Sequence, residues 1–237
     1  MDWGEAAKRR AAGRAIDLVE SGHIIGLGSG STAAHAIRLL GARLRTGELR
    51  EVLGVPTSLQ AAAEAIEAGV PLTTLDEHPT PDLAIDGVDQ IDGALNAIKG
   101  GGAALLREKV VASASERFIV VADGTKVTER LGEGCRIPVE VLPFALRPVL
   151  RRIRGLGAEV SVRSGSGKLG PVVTDSGNLI VDAGFGAIPD PGRLEAELKS
   201  IPGVIETGLF LGYVDIAFIG TEESVTRLER KGRKTSG

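Results

Sequence analysis

Short apolar segments alternate with longer amphipathic segments through the first half of the chain. The apolar segments have the length and composition of buried strands and lie at residues 23–27, 51–55, 70–74, 82–85 and 117–121. Between them, apolar residues recur with helical spacing at residues 4–20, 31–45, 59–68 and 103–114. Ser58 is the predicted N-cap of the helix at 59–68, and Gly69 is predicted to end it. This alternation predicts an α/β fold with a Rossmann-like parallel sheet covered by helices.

The pattern changes near residue 131, where strand-like segments follow one another with fewer helices between them. Strands are predicted at 137–142, 158–162, 171–174 and 178–182, and helices at 146–154 and 191–200. Residues 213–219 then have parallel-strand character again. We therefore predict a Rossmann-like domain at 1–130, a smaller inserted α+β (ferredoxin-like) domain at 131–205, and a return to the first domain at 206–237.

Composition and charge exclude several classes of protein. The 237 residues are 43% hydrophobic and 25% charged, with a formal net charge of −3, which argues against disorder and against a basic nucleic-acid surface. Cys135 is the single cysteine, so an internal disulfide is impossible, and no Cys/His cluster has zinc-site spacing. A charged N-terminus and the absence of a long apolar run predict a cytoplasmic protein that does not enter membranes.

A glycine- and hydroxyl-rich loop, Gly28-Ser29-Gly30-Ser31-Thr32, follows the first predicted strand and leads into a helix. Glycines and a helix N-terminus suit a phosphate, although a capped strand–helix turn explains the same residues. The spacing Gly28-x-Gly30-x-x-Ala33 matches a dinucleotide fingerprint. However, the next strand ends without the carboxylate that such a site needs. A small phosphate ester fits better than a nucleotide.

Two further polar segments follow predicted strands. One is Asp86-Gly87-Val88-Asp89, and the other contains Lys126. Each alone has a simpler explanation, as a polar turn or a solvated lysine. Ligands of open parallel sheets bind beyond the carboxyl ends of the strands, so the coincidence of polar loops there favours a binding site.

Glu108 lies in a predicted helix that follows Lys99-Gly100-Gly101-Gly102. On a helical wheel it falls on one face with Ala104, Leu105, Val111 and Ala112. A carboxylate in an apolar stripe is costly without a function or a partner, and burial would raise its pKa toward the range of a general base. The alternative is a surface salt bridge. Leu106 and Val110 form a second apolar face, which predicts burial on both sides.

These segments together resemble ribose-5-phosphate isomerase of the A type. The matching stretches follow one another in order over nearly the whole chain and read GLGSGSTA, GVPTS, AIDGVDQID, IKGGGAALLREKVVA, ADGTK, PVEVLPFA, TDSGN and IPGVIETGLF. The resemblance implies that Ser29, Gly30, Ser31 and Thr32 form the phosphate loop and that Asp86, Gly87, Val88 and Asp89 bind substrate. It also implies that Lys99, Gly100, Gly101 and Gly102 form a substrate loop, that Glu108 is the catalytic base, and that Lys126 and Lys8 bind substrate.

The resemblance implies an aldose–ketose isomerisation of ribose 5-phosphate and ribulose 5-phosphate through an enediol, with Glu108, Asp86, Asp89 and Lys99 as catalytic residues. It implies no cofactor and no metal, and a homodimer or homotetramer. The family usually has DGADE where this chain has Val88 and Gln90, and Gln90 removes a carboxylate. Alternatives are another sugar-phosphate isomerase or deaminase, and a sugar-phosphate-sensing module without catalysis.

Overall fold

The computed structural model describes residues 3–167 and 169–230, which form two compact units. The first unit contains the described residues through Val88, Arg107–Val127, and those from Gly212 onward. The second contains Asp89–Leu106 and Thr128–Leu211. Residues 89–106 thus group with the second unit, whereas the predicted boundaries assign them to the first domain. The boundaries at residues 130 and 205 stay predictions, and residues 231–237 of the last predicted segment lie outside the described residues.

The first unit is built on a six-stranded sheet. Its strands are β1 (Ile24–Leu27), β2 (Leu53–Pro56), β3 (Leu83–Gly87), β6 (Phe118–Asp123), β12 (Ile216–Gly220) and β13 (Val225–Glu229), in the order β13-β12-β6-β3-β1-β2. All pairs are parallel except the β12–β13 hairpin, which the sequence analysis missed. The predicted α/β class is confirmed by this sheet.

The predicted strand at 70–74 is wrong. Only Leu72 pairs with the sheet, in a single parallel bridge to Gly54. Pro71 has no N–H to donate to a ladder, and its carbonyl accepts from the N–H of Gly54 at 2.8 Å. The segment therefore touches the edge of the sheet without extending it.

Helices α1 (Trp3–Ile16), α2 (Gly30–Thr46) and α3 (Leu59–Ala68) belong to the first unit, and α4 spans Leu105–Ala114. Ser58 caps α3 by accepting from the N–H of Ala61, and Gly69 ends it in the left-handed region, as predicted. Helix α1 is shorter than the predicted 4–20. The main core cluster of this unit is aliphatic apart from Phe218, and Phe118 in β6 is also buried. Within the described residues, no helix is long and apolar enough to cross a membrane.

The second unit has two sheets. Strands β7 (Ile137–Val141), β8 (Glu159–Val162), β9 (Leu179–Gly184) and β10 (Val204–Thr207) form an antiparallel sheet in the order β10-β7-β9-β8. With helices α5 (Leu146–Gly155) and α6 (Pro191–Lys199), the chain order is β-α-β-β-α-β, the ferredoxin-like arrangement that was predicted. A small sheet joins β4 (Gln90–Ile91), β5 (Ala97–Ile98) and β11 (Leu209–Phe210). Residues 171–174 form only isolated bridges, so the strand predicted there is wrong.

Gly220, at the end of β12, provides a test of helix-to-sheet packing in the first unit. A Cβ at this residue would lie 2.1 Å from the carbonyl oxygen of Ala7 in α1. We expect Gly220→Ala to lower the free energy of unfolding by about 1–3 kcal/mol, because α1 has to move away from the sheet.

The matched control is Gly13→Ala in α1, where a Cβ would meet nothing within 4 Å. Alanine is the better helix former, so this change should raise the free energy of unfolding by about 0.5–1 kcal/mol. Urea unfolding at an unchanged slope measures both effects. Equal stability of Gly220→Ala and the wild-type chain would contradict the close approach of α1 to β12.

Candidate active site

The predicted site residues of the first unit gather at the carboxyl edge of its parallel sheet. Ser29 follows β1, Asp86 lies at the end of β3, and Lys126 ends a short 3-10 helix after β6. Strands β6, β3 and β1 are neighbours in the sheet. The three loops therefore emerge side by side, as the strand–loop pattern predicted.

Asp86 organises the backbone of this edge. Its carboxylate accepts from the N–H of Ser29 at 3.1 Å and from the N–H of Gly87 at 2.7 Å, and the side chain is buried. Gly28 makes this contact possible, since a Cβ there would lie 2.2 Å from the carboxylate carbon of Asp86. Hydrogen bonds from backbone N–H groups favour the charged form of a carboxylate. The aspartate thus ties the β1 loop to the β3 loop.

The hydroxyl of Ser29 belongs to a cluster that the sequence analysis did not foresee. It lies 2.8 Å from the hydroxyl of Thr57 and 2.6 Å from that of Ser58. Thr57 and Ser58 are both buried, and Thr57 also donates to the carbonyl of Leu27. Ser58 was assigned only a capping role. The signal was the matching stretch GVPTS, whose position after a parallel strand places these hydroxyls at the same edge.

The glycine-rich loop becomes the first turn of α2. The helix begins at Gly30, whose φ of 89° lies in the left-handed region, and Ser31 and Thr32 follow within the helix. The N–H of Gly30 donates to the side-chain oxygen of Gln60 at 2.9 Å. First-turn N–H groups have no acceptor within their own helix, which suits an anionic group.

The two predicted phosphate lysines differ in their surroundings. Lys8, on α1, donates to Glu5 at 2.8 Å, and Glu5 also lies 2.9 Å from the Nε2 of His35. The hydrogen bond from Lys8, followed by that from His35, holds the pKa of Glu5 below its usual value. Lys126 is half-buried, next to a turn in which Asp123 accepts from the N–H of Thr125.

Glu108 lies on α4 and is 4% exposed. The residues that share its predicted helical face, Ala104, Leu105, Val111 and Ala112, are all buried, so the predicted burial of this face is confirmed. The predicted second buried face is wrong, because Val110 is 45% exposed. The helix instead buries Lys109, whose Nζ lies 5.7 Å from the centre of the Tyr213 ring. Lys109, which follows Glu108 in the sequence, is therefore a buried cation that the sequence analysis did not identify.

The remaining predicted residues belong to the second unit. Asp89 accepts from the N–H of Gly101 at 2.7 Å, which links it to the glycine loop. Lys99 is 2% exposed, and its Nζ lies 5.5 Å from the centre of the Phe210 ring. Gly100 has a φ of 103°, and Gly102 is exposed. The loop is thus held by a carboxylate at one residue and open to solvent at another.

Arg163, which directly follows β8, also contacts this loop and was missed by the sequence analysis. Its Nη1 donates to the carbonyls of Gly100 at 2.6 Å and Gly101 at 2.9 Å, and its remaining donors bind Asp182. Local sequence patterns could not predict this contact, because 63 residues separate Arg163 from Gly100.

Gln90 explains one departure from the family pattern. Its amide nitrogen donates to the carbonyl of Glu133 at 2.8 Å, and its amide oxygen accepts from the N–H of Gly132 at 2.7 Å. An amide serves both partners, whereas a glutamate in its ionised form only accepts. In this chain, Gln90 therefore holds the loop at Gly132 and Glu133 in place, because its neutral amide both donates and accepts a hydrogen bond.

We expect Gln90→Glu to lower the free energy of unfolding by about 1–3 kcal/mol at neutral pH, because the carbonyl of Glu133 loses its donor and faces a carboxylate. The control is Gln60→Glu, since Gln60 uses its side-chain oxygen to accept from Gly30 and a carboxylate preserves that role. Chemical denaturation of the three proteins measures the difference. If both substitutions had the same effect, the two-sided role of the Gln90 amide would be contradicted.

Within residues 3–167 and 169–230, no group of three or more histidine, cysteine, aspartate or glutamate side chains is arranged to hold a metal ion. The polar groups that the candidate site residues offer to a ligand are backbone N–H groups, hydroxyls, carboxylates and lysine ammonium groups.

Comparison with known proteins agrees with the arrangement of these loops. The family model described as ribose 5-phosphate isomerase A (phosphoriboisomerase A) matches residues 53–224. Ribose-5-phosphate isomerase A of Thermosynechococcus vestitus is 51% identical over 213 residues, which cover 90% of each chain.

Two solved structures are also similar to this chain. A D-ribose-5-phosphate isomerase in complex with phospho-erythronic acid has a TM-score of 0.94 at 44% identity, covering 96% of this chain and 99% of the other. Ribose 5-phosphate isomerase A of Methanocaldococcus jannaschii has a TM-score of 0.91 at 44% identity, covering 95% and 99%. The chain belongs to the ribose 5-phosphate isomerase A family.

Proposed function

We propose that this protein is an aldose–ketose isomerase that interconverts D-ribose 5-phosphate and D-ribulose 5-phosphate through an enediol. The observation that carries the proposal is Glu108, a carboxylate 4% exposed on a helix that follows three successive glycines. Burial among apolar side chains suits a carboxylate that accepts a proton from carbon. The names of its relatives support the same reaction.

In the proposed mechanism, Asp89 assists the proton transfer that opens the sugar ring. Glu108 then removes the proton from C2 while O1 of the aldehyde gains one, which gives the enediol. The hydroxyl on C2 next loses its proton, and Glu108 returns its proton to C1 to form the ketose. Asp86 handles hydroxyl protons or fixes the orientation of the sugar.

Charge develops on O1 and O2 as the enediol forms. We assign its stabilisation to Lys99 and to the N–H groups of the Gly100–Gly102 loop, because preorganised donors often make the largest contribution to catalysis. The similar structure that is described with phospho-erythronic acid holds a compound with both a phosphate and a carboxylate, which supports a site for two anionic groups.

The phosphate of the substrate is assigned to Ser29, Gly30, Ser31 and Thr32, with Lys126 and Lys8. The Lys8 ammonium is already paired with Glu5. A phosphate would therefore compete with that carboxylate for Lys8. Holding the phosphate fixes the reacting carbons relative to the base, which converts binding energy into rate.

Two alternatives remain to be distinguished by experiment. Another sugar-phosphate isomerase or deaminase would use the same kind of sheet edge, and a panel of pentose and hexose phosphates separates it from the proposed activity. A sugar-phosphate-sensing module would bind ribose 5-phosphate without turnover. Ketose formation from ribose 5-phosphate by the purified protein favours the isomerase over both.

We further propose that the protein acts in the cytoplasm as a homodimer or homotetramer and binds neither nucleic acid nor a membrane. Exposed apolar side chains in the second unit support association, since Phe144 is 95% and Leu142 42% exposed. Light scattering coupled to size-exclusion chromatography gives the mass. A monomer at micromolar concentration would contradict the proposed assembly.

The test of the proposed base is Glu108→Gln. We expect turnover of ribose 5-phosphate to fall by about 10²–10⁴-fold, because an amide cannot accept the C2 proton. Binding of the phosphate ester should survive, since the side chain keeps its size and the phosphate loop is unchanged. Stopped assays of ketose formation and calorimetric titration with a non-reacting pentose phosphate measure the two properties separately.

Glu116→Gln is the matched control, because Glu116 is an exposed glutamate just after α4. It should leave both turnover and binding unchanged. If Glu108→Gln retained wild-type turnover, the base would have to be another residue. If the wild-type protein bound ribose 5-phosphate without converting it, the isomerase proposal itself would be wrong.

A further inference from the structure

Arg163 is a half-buried cation outside the set of residues that the family resemblance identifies. Its side chain is 17% exposed, and its backbone is fixed on both sides, since its N–H donates to Ile180 and its carbonyl accepts from Val172. The guanidinium binds both carboxylate oxygens of Asp182 on β9. Such a bidentate pair holds the planar guanidinium in one orientation.

The remaining nitrogen of that guanidinium, Nη1, faces the glycine loop. It donates to the carbonyl of Gly100 at 2.6 Å and to that of Gly101 at 2.9 Å. The Gly100 carbonyl also accepts from the N–H of Ala103, which closes a turn. One nitrogen therefore fixes two successive carbonyls of a loop that has no side chains of its own.

The carbonyl and the N–H of a trans peptide point in opposite directions. Because Arg163 holds the carbonyls of Gly100 and Gly101, the N–H groups of Gly101 and Gly102 are directed away from it. The N–H of Gly101 is found on the carboxylate of Asp89, at 2.7 Å. Gly102 itself is exposed, as a residue that contacts a ligand has to be.

The glycines themselves do not prevent these two peptides from adopting the opposite orientation. A glycine peptide flips at low steric cost, and three in succession leave the loop with many conformations. A Cβ at residue 100 would lie 2.8 Å from Leu105, so residue 100 has no room for a side chain, but this does not set the direction of the next two peptides. The guanidinium supplies that direction, and Asp89 supports it at the Gly101 N–H.

We propose that Arg163, held by Asp182, is a positioning residue for the isomerisation, which orients the Gly101 and Gly102 N–H groups toward Asp89 and the enediol oxygens. The inference rests on the proposed function, because those N–H groups matter only if an oxyanion develops near them. Arg163 does not touch the reacting atoms. Its effect passes through the two peptides that it holds.

The test is Arg163→Lys. A lysine keeps the positive charge, but its single nitrogen cannot replace the two nitrogens that bind Asp182 and the third nitrogen that binds the two glycine carbonyls. We expect kcat for ribose 5-phosphate to fall by about 10²-fold, as misplaced catalytic groups commonly produce. KM should change by no more than about threefold, because the lost interaction acts on the transition state. Arg163→Ala should regain turnover when guanidinium chloride is added at a non-denaturing concentration, and equal sodium chloride should give no recovery.

Arg136→Lys is the matched control. Arg136 pairs with Glu159 and Ser161 in the same unit, is exposed, and makes no hydrogen bond to the glycine loop among those that the described residues form. Its replacement should leave kcat and KM as in the wild-type protein. A comparable loss in both variants would mean that any arginine on this unit has the same effect, and the proposal would fail.

Amide hydrogen exchange gives a readout that does not depend on turnover. In Arg163→Lys the Gly101 amide should exchange at least about tenfold faster, while the amide of Val181 in β9 stays protected. Lower kcat with unchanged Gly101 exchange would overturn the positioning role. If the wild-type protein shows no isomerase activity, the proposed function fails, and the exchange experiment still decides whether Arg163 orders the loop.

Discussion

The carboxylate of Asp86 accepts two backbone N–H groups, one from the loop after β1 and one from its own loop after β3. This arrangement requires residue 28 to have no side chain, because any Cβ would occupy the space of the carboxylate. The position of Ser29, and with it the hydroxyl cluster that includes Thr57, follows from that contact. A single aspartate–glycine pair thereby sets the geometry of the carboxyl edge in the first unit.

In the second unit, a carboxylate again accepts a backbone N–H from a glycine-containing loop, and an arginine also binds the carbonyls of that loop. Asp89 accepts the N–H of Gly101, and Arg163 binds the carbonyls of Gly100 and Gly101. The loop is flexible by composition, so its order comes from charged partners rather than from packing. In each unit, a carboxylate that the sequence analysis assigned to chemistry also carries a structural hydrogen bond, and substitution of either aspartate would disturb both roles.

Gln90 shows why a departure from a family pattern has to be judged in the structure. The sequence indicated only that a carboxylate was missing next to Asp89. In the folded chain, the amide donates to Glu133 and accepts from Gly132, so it is the neutral character of residue 90 that matches its surroundings. The substitution is therefore accommodated within the second unit.

Features that depend on short-range periodicity could be predicted before the fold was known. The spacing of apolar residues located most strands and helices, identified the buried face of α4 that contains Glu108, and predicted Ser58 as a cap. Turn composition indicated which loops carry polar groups. These features could be predicted because each depends on residues within a few positions of one another.

Contacts between residues that are distant in the sequence became visible in the folded chain alone. Strands of two residues, such as β4, β5 and β11, have too few positions for a periodic signal. They form because they hydrogen-bond to one another in a sheet. The exposure of Val110 and the burial of Lys109 depend on what packs against α4. Arg163 reaches a loop 63 residues away because β8 and β9 place it there. Long-range pairing depends on the packing of complete elements, and no local pattern in the sequence records it.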